Sequence, residues 1–174
     1  MPVADEQASE VASEASADAF EGLEDHHYAP LRRFAYLITA NAAIAEDLAH
    51  EAVERSVRAG LDLTGPTALS YLRTAVVNLW RRTLRRRALE ARSLMRVGRV
   101  SSVVGDEGVD DRDRVWRALR RVRYEARVCL VLRYYEDLPL AQIAEELGLP
   151  LGTVKSRINR GLKDLARHLG ERHA

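Results

Sequence analysis

Between Leu140 and Arg160, the residues able to do chemistry are Lys155, Ser156, Asn159 and Arg160, with Lys163 just beyond. Their spacing puts them on one face of a helix. Such a face can hydrogen-bond to DNA; it is not equipped to make or break bonds. The other face carries Val154, Ile158, Leu162, Leu165 and Leu169, spaced 4, 4, 3 and 4 apart, which predicts a helix from near Gly152 with that side buried. Ile143, Ala144 and Leu147 form the apolar stripe of a short preceding helix. Gly148 stops it, because glycine tolerates the left-handed backbone of a tight turn. A small residue at Ala144, glycine four later and an apolar residue six after that suit two closely crossing helices. The segment reads as a helix-turn-helix, which sets its second helix in the DNA major groove.

Other chemistries find no support. Cys129 is the only cysteine, which excludes an internal disulfide and a multi-cysteine metal site. It lies in a helical apolar pattern and is expected in the core. The five histidines lack metal-ligand spacing, and no glycine-rich phosphate loop is present. No nucleophile or paired acid–base constellation stands out, so an enzyme is not expected and no cofactor is implied. No apolar run approaches the ~20 residues of a membrane span. No signal peptide is visible either, so the cytoplasm is the expected location.

The 174 residues allow one or two small domains. Their net charge of +1 hides an asymmetry. Residues 1–25 hold eight acids (Asp5, Glu6, Glu10, Glu14, Asp18, Glu21, Glu24 and Asp25) and no Lys or Arg. The other 149 residues hold 27 basic and 18 acidic groups. A basic body suggests a polyanionic partner, most simply nucleic acid.

Residues 1–25 read as an acidic, disordered or weakly helical tail. Residues 26–90 have helical stripes at Leu31, Phe34, Ala35, Leu37 and Ile38, then Ile44, Leu48, Ala52, Val53 and Val57, then Leu69, Leu72, Val76 and Leu79. The third stripe follows the turn signal Gly65-Pro66 and runs into Arg81, Arg82, Arg85, Arg86 and Arg87. Periodicity fades over 91–111, which reads as a linker. It returns over 112–170 with Val115, Leu119, Val122, Ala126 and Leu130, predicting one long helix to near Tyr135, and then the helix-turn-helix. The expected fold class is all-α, two small helical domains.

Four stretches in this order resemble the extracytoplasmic-function (ECF) sigma factors, the small two-domain group of the sigma-70 family. They are Tyr28 to Tyr36 (YAPLRRFAY), Ala45 to Val53 (AEDLAHEAV), Ser70 to Arg82 (SYLRTAVVNLWRR) and Leu149 to Ile158 (LPLGTVKSRI). The resemblance spans about residues 28–169. It implies a non-catalytic subunit that binds core RNA polymerase, directs it to promoter DNA and helps open the −10 element.

The resemblance also implies roles for single residues. Glu46, Asp47, His50, Glu51 and Glu54 would face the polymerase β′ clamp coiled coil, where opposite charge steers docking. His50 stands where glutamine is common, and Val57 where an aromatic is common. Asp62 and Thr64 lie in the loop where the family captures an unstacked −10 base. Asn78 can present donor and acceptor to a base edge. Tyr71 and Trp80 either pack in the core or stack on bases. Arg81, Arg82, Arg85 and Arg86 suit phosphate, a contact that positions without specifying. Lys155, Ser156, Asn159 and Arg160 match positions that meet the −35 element, where Arg160 or Lys155 suits guanine and Asn159 adenine. Arg157 serves phosphate or the domain surface, and Thr153 lies at a phosphate-binding helix N-terminus. The implied partners are core RNA polymerase (β′ clamp coiled coil and β flap) and promoter DNA. Many relatives also have an anti-sigma protein, and nothing here identifies one.

Two alternatives compete with this reading. A polymerase-independent regulator shares the helix-turn-helix, but the first 90 residues lack the strand–helix alternation of a receiver domain. A helical enzyme lacks its constellation. The linker is either a tether or a thread through the polymerase, and the acidic tail either masks basic DNA surfaces or is plain tail.

Overall fold

The computed structural model describes residues 27–95 and 111–170, and all seven regular elements there are α-helices. They are α1 (Ala29–Thr39), α2 (Ala42–Arg58), α3 (Ala68–Met95), α4 (Asp111–Arg121), α5 (Tyr124–Tyr134), α6 (Leu140–Leu147) and α7 (Leu151–Gly170). The all-α expectation holds. The chain divides into two compact units, with the cut between Trp80 and Arg81 on α3. The acidic segment 1–25 and most of 91–111 lie outside the described residues.

The first unit is built from three apolar faces. In α1, Leu31, Phe34 and Ala35 are fully buried, and Ile38 continues the same face. In α2, small residues dominate the buried side (Ala45, Ala49 and Ala52 beside Leu48 and Val53), which lets neighbouring backbones approach closely. Ser56 is also buried and satisfies its hydroxyl by donating to the Ala52 carbonyl at 2.7 Å. The turn that stops α2 holds Gly60, whose φ of +69° is the left-handed value. The Gly60 N–H donates to Val57 O and the Leu61 N–H to Ser56 O, the paired bonds of a Schellman stop. Leu63 pins the following loop into the core. α3 starts at Ala68, just past the Gly65-Pro66 signal, and buries Leu72, Val76, Val77, Leu79 and Trp80. Past Trp80 its side chains turn outward: Arg82 and every residue from Arg85 to Glu90 are exposed.

In the second unit α4, α5 and α6 all pack on α7. Gly148 takes φ +60° and repeats the Schellman pattern, its N–H on Glu145 O and the Leu149 N–H on Ala144 O. Pro139 caps α6 without a side-chain bond, and its carbonyl accepts the Ile143 N–H at 3.1 Å. Ile143, Val154 and Ile158 form the buried seam between the two helices.

Two expectations are corrected here. The single long helix to Tyr135 is two helices, broken at Val122 and Arg123. Arg123 is extended (φ −55°, ψ 139°), and its carbonyl receives the N–H groups of Ala126 and Arg127. The change of direction lets Ala118 on α4, Val122 at the break and Ala126 to Leu132 on α5 all be buried, while Val115 is left exposed. On α7, Leu162 is exposed and its neighbour Gly161 is buried instead. A Cβ at Gly161 would lie 2.9 Å from Leu130 Cδ1 and 3.2 Å from Ala126 Cβ, so glycine sets the α5–α7 distance. Gly161→Ala is therefore expected to lower stability by about 1–3 kcal/mol, the cost of overpacking. Chemical denaturation measures it, and an unchanged midpoint would show that the two helices can separate freely.

Burial also sets ionisation inside this unit. Arg127 is buried and its affinity for the proton falls to a pKa of about 10, so it stays charged at neutral pH. Its Nη1 donates to the Arg120 carbonyl at 2.9 Å, at the end of α4. Burial pushes the Tyr124 phenol and the Cys129 thiol up, the expected behaviour of groups whose charged forms are disfavoured. Cys129 is fully buried, as its apolar setting predicts.

Candidate nucleic-acid interface

α7 presents its polar face as the spacing predicts. Lys155, Ser156, Asn159, Arg160 and Lys163 are all exposed. Arg160 lies back along the helix, its Nη2 donating to Ser156 Oγ at 3.1 Å and its Nε to Ser156 O at 3.3 Å. Ser156 Oγ in turn donates to Thr153 O at 3.1 Å. This chain of bonds holds the guanidinium against Ser156, one turn back along the helix. Lys155 and Asn159 line an open groove with Ile158, Arg133, Tyr134 and Leu140. Arg133 and Tyr134 come from the end of α5, so the surface is wider than the helix-turn-helix alone. Sequence reading missed both, because they precede α6 and share no period with α7. Arg157 stands apart: it is half-buried, and its charge acts on the buried Cys129 thiol from the packed side of α7. Thr153 is half-buried in the first turn, where its N–H donates to Pro150 O at 2.8 Å.

α3 decides between the two aromatics. Trp80 is 4% exposed and belongs to the core, whereas Tyr71 is 49% exposed. Asn78, Arg82 and Arg85 are exposed too. From Tyr71 these follow at steps of 7, 4 and 3, so one outward face carries an aromatic ring, an amide and two guanidinium groups. Arg81 is half-buried to one side, and Arg86 reaches Glu90 at 3.6 Å.

The loop before α3 is locally ordered. Asp62 accepts from the Thr64 N–H at 2.8 Å and from Thr64 Oγ1 at 2.6 Å, a turn in which a carboxylate replaces a backbone acceptor. Those two bonds hold the Asp62 carboxyl below its usual range. The depressed folded-state value means their support is full above pH ~4 and is lost as pH falls through it. At neutral pH the loop keeps its charge.

On α2, Glu46, Asp47 and His50 are exposed, and the His50 ring meets Tyr28 edge-on with centroids 6.4 Å apart. Glu51 and Glu54 sit lower on the helix and pair with Arg55 and Arg58, the latter pair at 2.9 Å. Glu46 and Asp47 have no ion-pair partner among the described residues. The acidic surface is thus concentrated at its N-terminal end.

One helix thus carries an outward aromatic–amide–arginine face and another an outward polar, cationic helix-turn-helix face. The family of sigma-70 region 2 matches residues 23–90, and that of sigma-70 region 4 matches residues 112–165. Across 168 residues, 92% of this chain and 94% of that protein, the sequence is 33% identical to the ECF RNA polymerase sigma factor SigL of Mycobacterium tuberculosis strain ATCC 25618 / H37Rv. The chain belongs to the ECF sigma factors of the sigma-70 family. A further relative, the ECF RNA polymerase sigma factor SigM of the same strain, is 33% identical over 154 residues, 87% of this chain and 78% of SigM. Among solved structures, the sigma factor RpoE in complex with the anti-sigma factor NepR from Bartonella quintana aligns with a TM-score of 0.65. That match covers 83% of this chain and 93% of RpoE at 22% identity, and it is a likeness of fold. No described helix is long and apolar enough to cross a membrane.

Proposed function

We propose that this ECF sigma factor docks on core RNA polymerase through α2 and reads promoter DNA at two points. Residues 26–90 act as sigma region 2, 91–111 as the linker and 112–170 as sigma region 4. Glu46 and Asp47 lead the contact with the basic β′ clamp coiled coil, with His50 beside them and Glu51 and Glu54 behind. Tyr71, Asn78, Arg82 and Arg85 face the −10 element, flanked by Arg81 and Arg86. The loop carrying Asp62 and Thr64 takes the unstacked base. Lys155, Ser156, Asn159 and Arg160 face the −35 element while region 4 rests on the β flap. Arg157 orients α7 from its packed side, and Thr153 offers the helix N-terminus to phosphate. The chain holds and opens DNA in the cytoplasm, and the bond-making belongs to the polymerase. An anti-sigma protein is a further partner to test for, since RpoE is bound by one.

The observation that carries this reading is the single outward face of α3. A ring for stacking, an amide for a base edge and two cations for phosphate are what strand opening and capture require. The upstream half is tested by Lys155→Ala with Asn159→Ala. Each base-edge contact supplies roughly 1–3 kcal/mol of discrimination. The double variant is therefore expected to lose most of its preference for an intact over a scrambled −35 element, measured by template competition with the holoenzyme. Undiminished preference would remove α7 from sequence reading.

A further inference from the structure

The groove between the end of α5 and the first half of α7 joins apolar to polar lining in a volume of about 320 Å³. Its apolar part is Ile158, 6% exposed, with the half-buried Leu140. Tyr134 comes to it from α5 at 62% exposure, and Lys155 and Asn159 come from α7. Among the described residues the Tyr134 hydroxyl, the Lys155 ammonium and the Asn159 amide have no hydrogen-bond or ion-pair partner. Arg133 differs: its Nη1 donates to Leu138 O at 3.0 Å, and Asp137 Oδ1 lies 3.8 Å from it. Part of that guanidinium is therefore committed to the α5–α6 turn. No carboxylate lines the groove itself. A ring so exposed adds little to the core. A phenol with an apolar body and an unpaired polar tip suits a ligand that is apolar at one end and polar at the other. With Lys155 beside it, the polar end of that ligand should be an anion.

We propose that this groove takes one deoxyribose–phosphate unit of the DNA strand bordering the −35 element, with the Tyr134 ring against the sugar and its hydroxyl donating to the phosphate. This placement rests on α7 being the −35 face, since Lys155 and Asn159 belong to both. Sugar and phosphate are the same at every base pair, so Tyr134 sets affinity and register without selecting sequence. A phenol hydroxyl brings no positive charge. It therefore releases no counterion and leaves the salt dependence of binding to the cations around it. That combination separates Tyr134 from the base-reading side chains, which change sequence preference, and from the arginines and lysines, which change the salt dependence.

The test uses the holoenzyme and duplex fragments that carry the −35 element alone, so that strand opening does not enter. Tyr134→Phe is expected to weaken binding about fivefold, the share of one hydroxyl–phosphate hydrogen bond, and Tyr134→Ala about twentyfold. Both losses should be equal on an intact and a scrambled −35 element and should leave the slope of affinity against salt unchanged. A neutral methylphosphonate is then placed at each bordering phosphate in turn. At one position it should erase the difference between the native protein and Tyr134→Phe. The side chain is largely exposed, so the unfolding midpoint should stay where it is. Unchanged DNA affinity in Tyr134→Ala, or a Tyr134→Phe loss that no methylphosphonate absorbs, overturns the proposal. So does a loss found in association with core polymerase rather than with DNA, which would give the groove to a protein partner. Undiminished −35 preference in Lys155→Ala with Asn159→Ala would overturn the promoter reading and this placement with it. Lost preference there beside a silent Tyr134→Ala overturns the placement alone.

Discussion

Tyr71→Ala is expected to slow promoter opening roughly 5- to 150-fold, the equivalent of ~1–3 kcal/mol for one stacked base. Tyr71→Phe should keep most of the rate, because the ring and not the hydroxyl does the stacking. The half-exposed ring contributes little to the core, so Tyr71→Ala should also leave the unfolding midpoint nearly unchanged. Trp80→Ala should do the reverse in kind. Its ring is 4% exposed, and truncating a buried aromatic costs about 3–5 kcal/mol, so activity falls through unfolding. Permanganate reactivity of unpaired thymines, followed in time beside thermal unfolding, separates the two effects. A Tyr71→Ala protein that opens DNA at the normal rate would remove the ring from the opening step.

The second large effect is expected at the other face of the same unit. Glu46→Lys with Asp47→Lys should weaken association with core polymerase on the order of 100-fold, since like charges brought together cost several kcal/mol. Neutralising Glu51 and Glu54 should do less, because those carboxylates already pair with Arg55 and Arg58. Exposed pairs of that kind contribute about 0–1 kcal/mol to folding, so none of these variants should unfold the helix. Titration of labelled protein with core polymerase at two salt concentrations gives both the loss and its electrostatic origin. Equal losses at the two ends of α2 would mean that the intrahelical pairs open on docking.

The pattern of what the sequence disclosed follows from how local each signal is. The α6–α7 turn was legible because Gly148, Val154 and Ile158 encode it within a dozen residues, and glycine's left-handed φ is a property of one residue. The outward placement of Asn78, Arg82 and Arg85 was legible in the same way. The break at Arg123 was not, because no proline or glycine interrupts the stretch from Val115 to Tyr135. It is imposed by packing: α4 and α5 must both reach α7, and a straight helix could not bury both stripes. Gly161 was passed over for the same reason. Its value lies in Leu130 and Ala126, more than thirty residues away in sequence, and the apolar period pointed to Leu162 instead. Periodicity alone also could not tell Tyr71 from Trp80, since both are large aromatics on one helix, and burial against the first unit's core chooses between them. Arg133 and Tyr134 joined the α7 groove only through the tertiary fold.

The central claim is that this chain gives core RNA polymerase its promoters. Purified full-length protein mixed with core polymerase should co-elute from a sizing column as a single complex. That complex should start transcripts from a restricted set of genomic fragments sharing an upstream and a downstream element. Transcription no different from that of core polymerase alone, with the chain eluting separately, would contradict the account.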